Sequence, residues 1–221
     1  VTNLDGLFVD CTSLTTINNI NSWDTSAITS MNAMFQGCTA FNQSLSFNTS
    51  AVTSMNEMFL NATNFNSALT FNTSSVTSMN NMFFGCSVFN SALTFNTSAV
   101  LNMGSMFSGC SAFNQPLSFN TAAVTSMAGM FNNATAFNQP LSFDTSSVTD
   151  MSSMFRACSV FNQPLTFDTS AVTTMGRMFR DATAFNQNIS SFNTGAVTDM
   201  YQMFRDAPAF NQNIGTWNVA N

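Results

Sequence analysis

Apolar and polar residues follow a pattern along this chain that recurs every 24 residues over most of its length. The stretch 52–75 shows it clearly. Met55, Met58, Phe59 and Ala62 stand at i, i+3, i+4 and i+7, the apolar stripe of a short helix. Ser54 precedes the stripe, and the same slot holds Asn3, Ser30, Ser78, Asn102, Ser126, Asp150, Thr174 and Asp199. All are good N-cap residues, so the pattern predicts a helix of one to two turns starting there in every unit. A helix that short is unstable alone and must bury its stripe.

The second half of the unit alternates. Leu69 and Phe71 flank Thr70, as Leu45 and Phe47 flank Ser46. This spacing predicts a short strand with one buried face, followed by an Asn-Thr-Ser turn. One such unit cannot close a core, but stacked units can. The expected fold is a leucine-rich-repeat-like solenoid: nine coils, each with one short strand and one short helix, the strands forming a parallel sheet. The units run 1–27, 28–51, 52–75, 76–99, 100–123, 124–147, 148–171, 172–196 and 197–221, one domain in all, with one inserted residue near Ser190 or Ser191.

Stacking accounts for most of the composition. Of the 25 Phe, all but Phe84 fall in three columns, and the 16 Met fall in the helix columns. A cofactor track is the functional alternative for such columns; buried stacking is the simpler reading. A polar column of Asn42, Asn66, Asn90, Asn114, Asn138, Asn162, Asn186 and Asn211 directly follows the second Phe column. It is read as a buried asparagine ladder, because a buried amide must bond backbone groups of its own or the adjacent coil. A row of amides binding a sugar or an ion is the alternative.

Certain residues carry a family resemblance. Val148-Thr149-Asp150-Met151, Met154-Phe155 and Phe161-Asn162-Gln163 resemble the V-T-x-M, M-F and F-N-Q signatures of a domain of unknown function among the BspA-like leucine-rich-repeat surface proteins. The likeness spans the whole chain. It implies a leucine-rich-repeat-like solenoid used in adhesion or structure at a cell surface, with no catalytic residues in common. This chain departs from that pattern in its mostly 24-residue unit and in F-N-T where the family often has a slightly longer unit with W-N-T; the insertion at Ser190 or Ser191 and the Trp at Trp23 and Trp217 are the features that resemble that form.

Only 6% of the 221 residues are charged, there is no His or Lys, and the net charge is −6. Such a surface does not suit nucleic acid, which takes a basic groove. Acid–base or nucleophilic catalysis needs partners within hydrogen-bond reach, and with one Glu and scattered Asp none are apparent, so no enzyme and no cofactor are expected. No apolar run is long enough for a transmembrane helix. The chain begins with Val rather than Met, as a mature or excised piece would.

Cys11, Cys38, Cys86, Cys110 and Cys158 share one slot with Ala62, Ala134, Ala182 and Ala207. A small buried residue is expected there, with free thiols favoured over bridges between Cys11 and Cys38 or between Cys86 and Cys110, since stacked Cβ vectors run parallel. No metal set stands out; Asp144 and Asp168, in adjacent coils, are a weak calcium candidate, or two solvated turn residues. Of the glycosylation sequons, Asn48, Asn72 and Asn96 fall in the turn and are the candidate acceptors.

The leading functional expectation is an extracellular structural protein whose partner is itself. Reading Trp217 to Asn221 into Val1 to Leu4 aligns without a gap on Trp23 to Met31. Neither end shows a polar cap of the kind solitary solenoids need. Val1, Leu4, Leu7 and Phe8 would face Met203, Phe204, Phe210, Ile214 and Trp217, head to tail between copies or between consecutive parts of a longer chain. The alternative is a cell-surface adhesin binding glycans or surface proteins. The outward row Ser46, Thr70, Thr94, Ser118, Ser142 and Thr166 also raises ice binding as a minor option.

Overall fold

A computed structural model describes residues 1–220. It is a tandem-repeat fold in which each unit, here a coil, lies on the next. Coils are numbered 1 to 9 in the order of the units above.

The expected helix does not form. Among the described residues the one regular element is a 3₁₀ turn, η1 (Ile20–Ser22). Two slots in every coil explain this. Gly6, Ala33, Glu57, Asn81, Ser105, Gly129, Ser153, Arg177 and Gln202 have φ of 52–62°. Asp10, Gly37, Asn61, Gly85, Gly109, Asn133, Ala157, Asp181 and Asp206, four residues on, have φ of 55–74°. A left-handed residue every fourth position breaks a right-handed helix at each turn. The Met and Phe spacing that reads as a helical stripe is the four-residue repeat of successive tight turns.

Backbone bonding in this ribbon alternates. Met55, Glu57, Phe59 and Asn61 donate their N–H groups to the carbonyls of Ser78, Asn80, Met82 and Phe84 in the next coil, at 2.6–3.2 Å. Between them, Met58, Leu60 and Ala62 donate back three residues within the coil. The residue before the ribbon forms a parallel bridge to its equivalent in the next coil, from Asn3↔Ser30 through to Thr174↔Asp199. The slot expected to cap a helix thus carries the register of the stack. Asn102, Asp150 and Asp199 still accept the N–H two residues on, but they cap a turn.

The expected strand is also corrected. Leu69 and Phe71 are buried, yet the Leu-x-Phe segments form no sheet among the described residues. Their single bridge, Leu45↔Leu69, occurs where the rings of Phe47 and Phe71 come within 5.3 Å. Ring columns run the length of the stack, at 5.5–5.8 Å from Phe8 and Phe35 through Phe204 and at 5.9–6.1 Å from Phe41 to Phe210.

The core is a double file of stacked rings. Within a coil, Phe59 lies 4.1 Å from Phe65, and Phe107 lies 4.3 Å from Phe113, with planes within 13°. Between coils 2 and 8 these rings and the adjoining Met and Val side chains are fully enclosed. Each buried Phe contributes roughly 2–3 kcal/mol, which offsets the entropy of ordering a coil that has no regular element of its own.

Candidate functional site

Three hydrogen-bonded columns run the length of the stack. The first is the asparagine column. The Oδ1 of Asn42 accepts the N–H of Asn66 at 2.9 Å, and the same bond repeats at each step to Asn211, which donates to Asn186 at 2.9 Å. Ser67, Ser91 or a Gln amide such as Gln139 shares each acceptor. The ladder connects coils as expected but is not buried: its members are half-exposed or exposed. The Asn after each Phe of the second column points outward, and its amide reaches along the surface.

The buried polar ladder is one that the sequence reading missed. Thr25, Thr49, Thr73, Thr97, Thr121, Thr145, Thr169 and Thr194 are 1–3% exposed. Each Oγ1 donates to a carbonyl of the next coil at 2.6–3.0 Å, as Thr97 does to Asn120 and Thr194 to Asn218. The signal was the strict recurrence of Thr inside Asn-Thr-Ser, which turn chemistry alone does not require. In coil 9 the slot is Val219, 79% exposed.

A third column is threonine on the outer surface. Thr53, Thr77, Thr149 and Thr173 are exposed and donate both N–H and Oγ1 to the preceding coil. Thr29, Thr125 and Thr198 continue it, and exposed Leu101 interrupts it. The row from Ser46 to Thr166 is exposed too.

The five cysteines are free. Cys38, Cys86, Cys110 and Cys158 are buried, and each Sγ donates to a carbonyl of the preceding coil at 2.8–3.0 Å. Burial pushes the Cys38 thiol up to about 11 and the other three higher, so none is poised as a nucleophile. Cys11 is exposed.

Asp144 and Asp168 are exposed, and each binds its own turn. Hydrogen bonds from Ser146 and Ser170 hold these carboxyls below the usual range, while Asp144 pushes Asp168 the other way. Among the described residues no three His, Cys, Asp or Glu side chains come together as a metal set. Asn48, Asn72 and Asn96 are exposed, with each Oδ1 accepting the N–H two residues on. No described helix is long and apolar enough to cross a membrane.

Core columns that are closed in the middle coils are open on the outer faces of coils 1 and 9, while Val88, Leu101 and Val160 are exposed on the sides of coils 4, 5 and 7. Val1 is 94% and Leu7 47% exposed, with Leu4 and Phe8 half-buried; Phe204, Phe210, Ile214 and Trp217 are half-buried, and Met203 is covered. Two clefts open on coil 9, one against Phe204, Ala207 and Pro208, the other against Val197, Met200 and Val219. Asn221, part of the phase match across the ends, lies outside the described residues.

The model of a family described as "Mycoplasma protein of unknown function, DUF285" matches residues 2–94, 69–165 and 141–221, three overlapping spans that take in nearly every coil. No curated protein and no solved structure matches. With the same repeat matched along its length, the chain belongs to the DUF285 family.

Proposed function

We propose that this is a non-enzymatic structural protein of the cell surface or extracellular space, a solenoid whose coils continue head to tail into a fibre or a longer array. The observation that carries this reading is the contrast within single columns. Met34 is fully buried, whereas Leu7, in the same slot of coil 1, is 47% exposed. A further coil against that face, or against Phe204, Phe210 and Trp217 on coil 9, would remove this apolar surface from water at about 25 cal/mol per Å². The BspA-like likeness and the sparsely charged surface fit the same setting.

Sedimentation over a wide concentration range tests the reading. The unmodified chain should form long species, and Phe8→Asp should block joining at coil 1 while the middle coils stay folded. A monomer at every concentration, together with no further repeats flanking the chain in its native setting, would sink it. One observation favours a second reading, an adhesin for glycans or surface proteins: the exposed, uncharged threonine row at Thr29, Thr53 and Thr77. Monomers that bind a glycan array, with the binding lost when these threonines become Glu, would move that reading ahead.

A further inference from the structure

One slot of the ribbon changes its chemistry along the stack. It is the residue after the first-column Phe: Leu60, Phe84, Ser108, Asn132, Arg156 and Arg180 in coils 3 to 8. The two arginines stand in adjacent coils, and each of those coils has a neighbour on both faces. All four basic residues of the chain lie in coils 7 to 9. Two of them are occupied elsewhere: Arg177 lies over the Tyr201 ring at 5.0 Å, and Arg205 pairs with Asp206 at 3.2 Å. Arg156 and Arg180 are left to share one carboxylate.

That carboxylate is Asp181. Its Oδ2 lies 3.7 Å from Nε of Arg156 and 3.4 Å from Nε of Arg180. Both Nε atoms are enclosed, and neither makes a hydrogen bond at these contacts. Two guanidinium charges thus face one carboxylate, and like charges in adjacent coils repel. Asp181 holds both side chains by their inner edge, while the side chains stay 38% and 21% exposed. Gln202 braces the second one, its Oε1 accepting from Arg180 Nη1 at 3.0 Å. The Arg156 guanidinium donates no hydrogen bond among the described residues. Asp150 and Asp199 accept N–H groups of their own turns. Next in the column, half-buried Asn132 donates its amide to Ser108 Oγ at 3.3 Å. A neutral amide and then two guanidinium groups therefore follow one another along the side of the stack.

We propose that Arg156 and Arg180 form a clamp for the acidic groups of an anionic glycan lying along the stack, with Asp181 as the positioning residue. Guanidinium forks fit sulfate and carboxylate oxygens two at a time, and a second fork one coil away suits a polymer better than a single ion. The amide and hydroxyl groups beside the clamp suit sugar hydroxyls, whereas nucleic acid takes exposed aromatic platforms along a basic groove. The site does not depend on whether coils continue at either end.

Calorimetric titration of the full chain with a dextran sulfate oligosaccharide tests this, with unsulfated dextran and inorganic sulfate as comparisons. Dextran sulfate should bind, unsulfated dextran should not, and inorganic sulfate should bind far more weakly. Arg156→Gln and Arg180→Gln should each lower the affinity about tenfold or more. Gln stands in this slot at Gln36, so the coil accepts it. Arg205→Gln removes the same charge from the same column and should change little. Asp181→Asn is the deciding variant. Attraction by net charge alone would make it bind more tightly, whereas a clamp held by Asp181 binds several-fold more weakly. Tighter binding by Asp181→Asn, or an equal loss in Arg205→Gln, would overturn the clamp. Inorganic sulfate or a single-stranded oligonucleotide bound as tightly as dextran sulfate would overturn the glycan. No binding of dextran sulfate removes both and leaves the stacking reading untouched.

Discussion

Coil 5 and coil 9 share their core Val, their Met and the Phe of the first two columns slot for slot, but their surroundings differ. In coil 5, Met106, Phe107 and Phe113 are fully enclosed, and neighbours on both sides take up the ribbon N–H groups and carbonyls. In coil 9, Met203, Phe204 and Phe210 repeat the pattern with a neighbour on one side only, and Phe204 and Phe210 stay half-exposed. Their rings still sit 4.0 Å apart, as within other coils, so the coil's shape survives the loss of a neighbour while its burial does not. Burial in this molecule is thus supplied between coils, and a coil's stability depends on what lies against its two faces.

Truncating one ring in each region gives the largest expected contrast. Phe107→Ala should destabilise by about 3–5 kcal/mol, because fixed rings above and below hold the cavity open. Phe204→Ala should lose about half as much or less, since part of its surface already meets water. Denaturant melts measure both. Equal losses would mean that the outer coil is as well supported as the middle.

The threonine ladder sharpens the same comparison. Thr97→Val keeps the shape but removes the buried hydroxyl that donates to the Asn120 carbonyl, for a loss of about 1–3 kcal/mol. Val219→Thr, at the exposed end of the column, should change the melting point of the isolated chain little. A neutral Thr97→Val would show that the ladder does not join the coils.

Smaller effects are expected at the surface and at the thiols. Asn114→Ala removes an acceptor used by Asn138 and Gln139, but water reaches the site, so about 0.5–1.5 kcal/mol is expected. The Cys38 thiol ionises at an ordinary pH of about 9 in the unfolded chain and at about 11 in the folded one. Its contribution is therefore complete below pH 9 and is lost as pH rises toward 11. Cys38→Ala should flatten that part of a stability–pH curve, and an unchanged curve would argue against its burial. Ala157→Gly should be the mildest, stabilising by up to about 1 kcal/mol, because Ala157 holds φ of 55° where Gly is unstrained.

What could be read in the chain follows the same division. Strict recurrence made the ring columns, the shared Cys/Ala slot and the link from one Asn to the next legible, because each depends on identical residues meeting in adjacent coils. Local geometry was not. The spacing of Met55, Met58 and Phe59 suits a helix and a ribbon of four-residue turns alike. Gly37, Asn61, Gly85 and Gly109 in one slot were the available sign of left-handed backbone. At Glu57 or Arg177 no residue type marks it, because bonds to neighbouring coils impose that conformation. Asn114 and Thr97 were misjudged for a related reason: polarity alone does not say which of two hydrogen-bonding columns faces the core.

The central claim is that coil faces are completed by further coils. Electron microscopy of the concentrated full chain tests it directly. Unbranched filaments one coil-stack wide, with an axial period equal to one chain of nine coils, are the predicted result. Separate particles one chain long at every concentration, with no further repeats flanking the chain in its native setting, would contradict it.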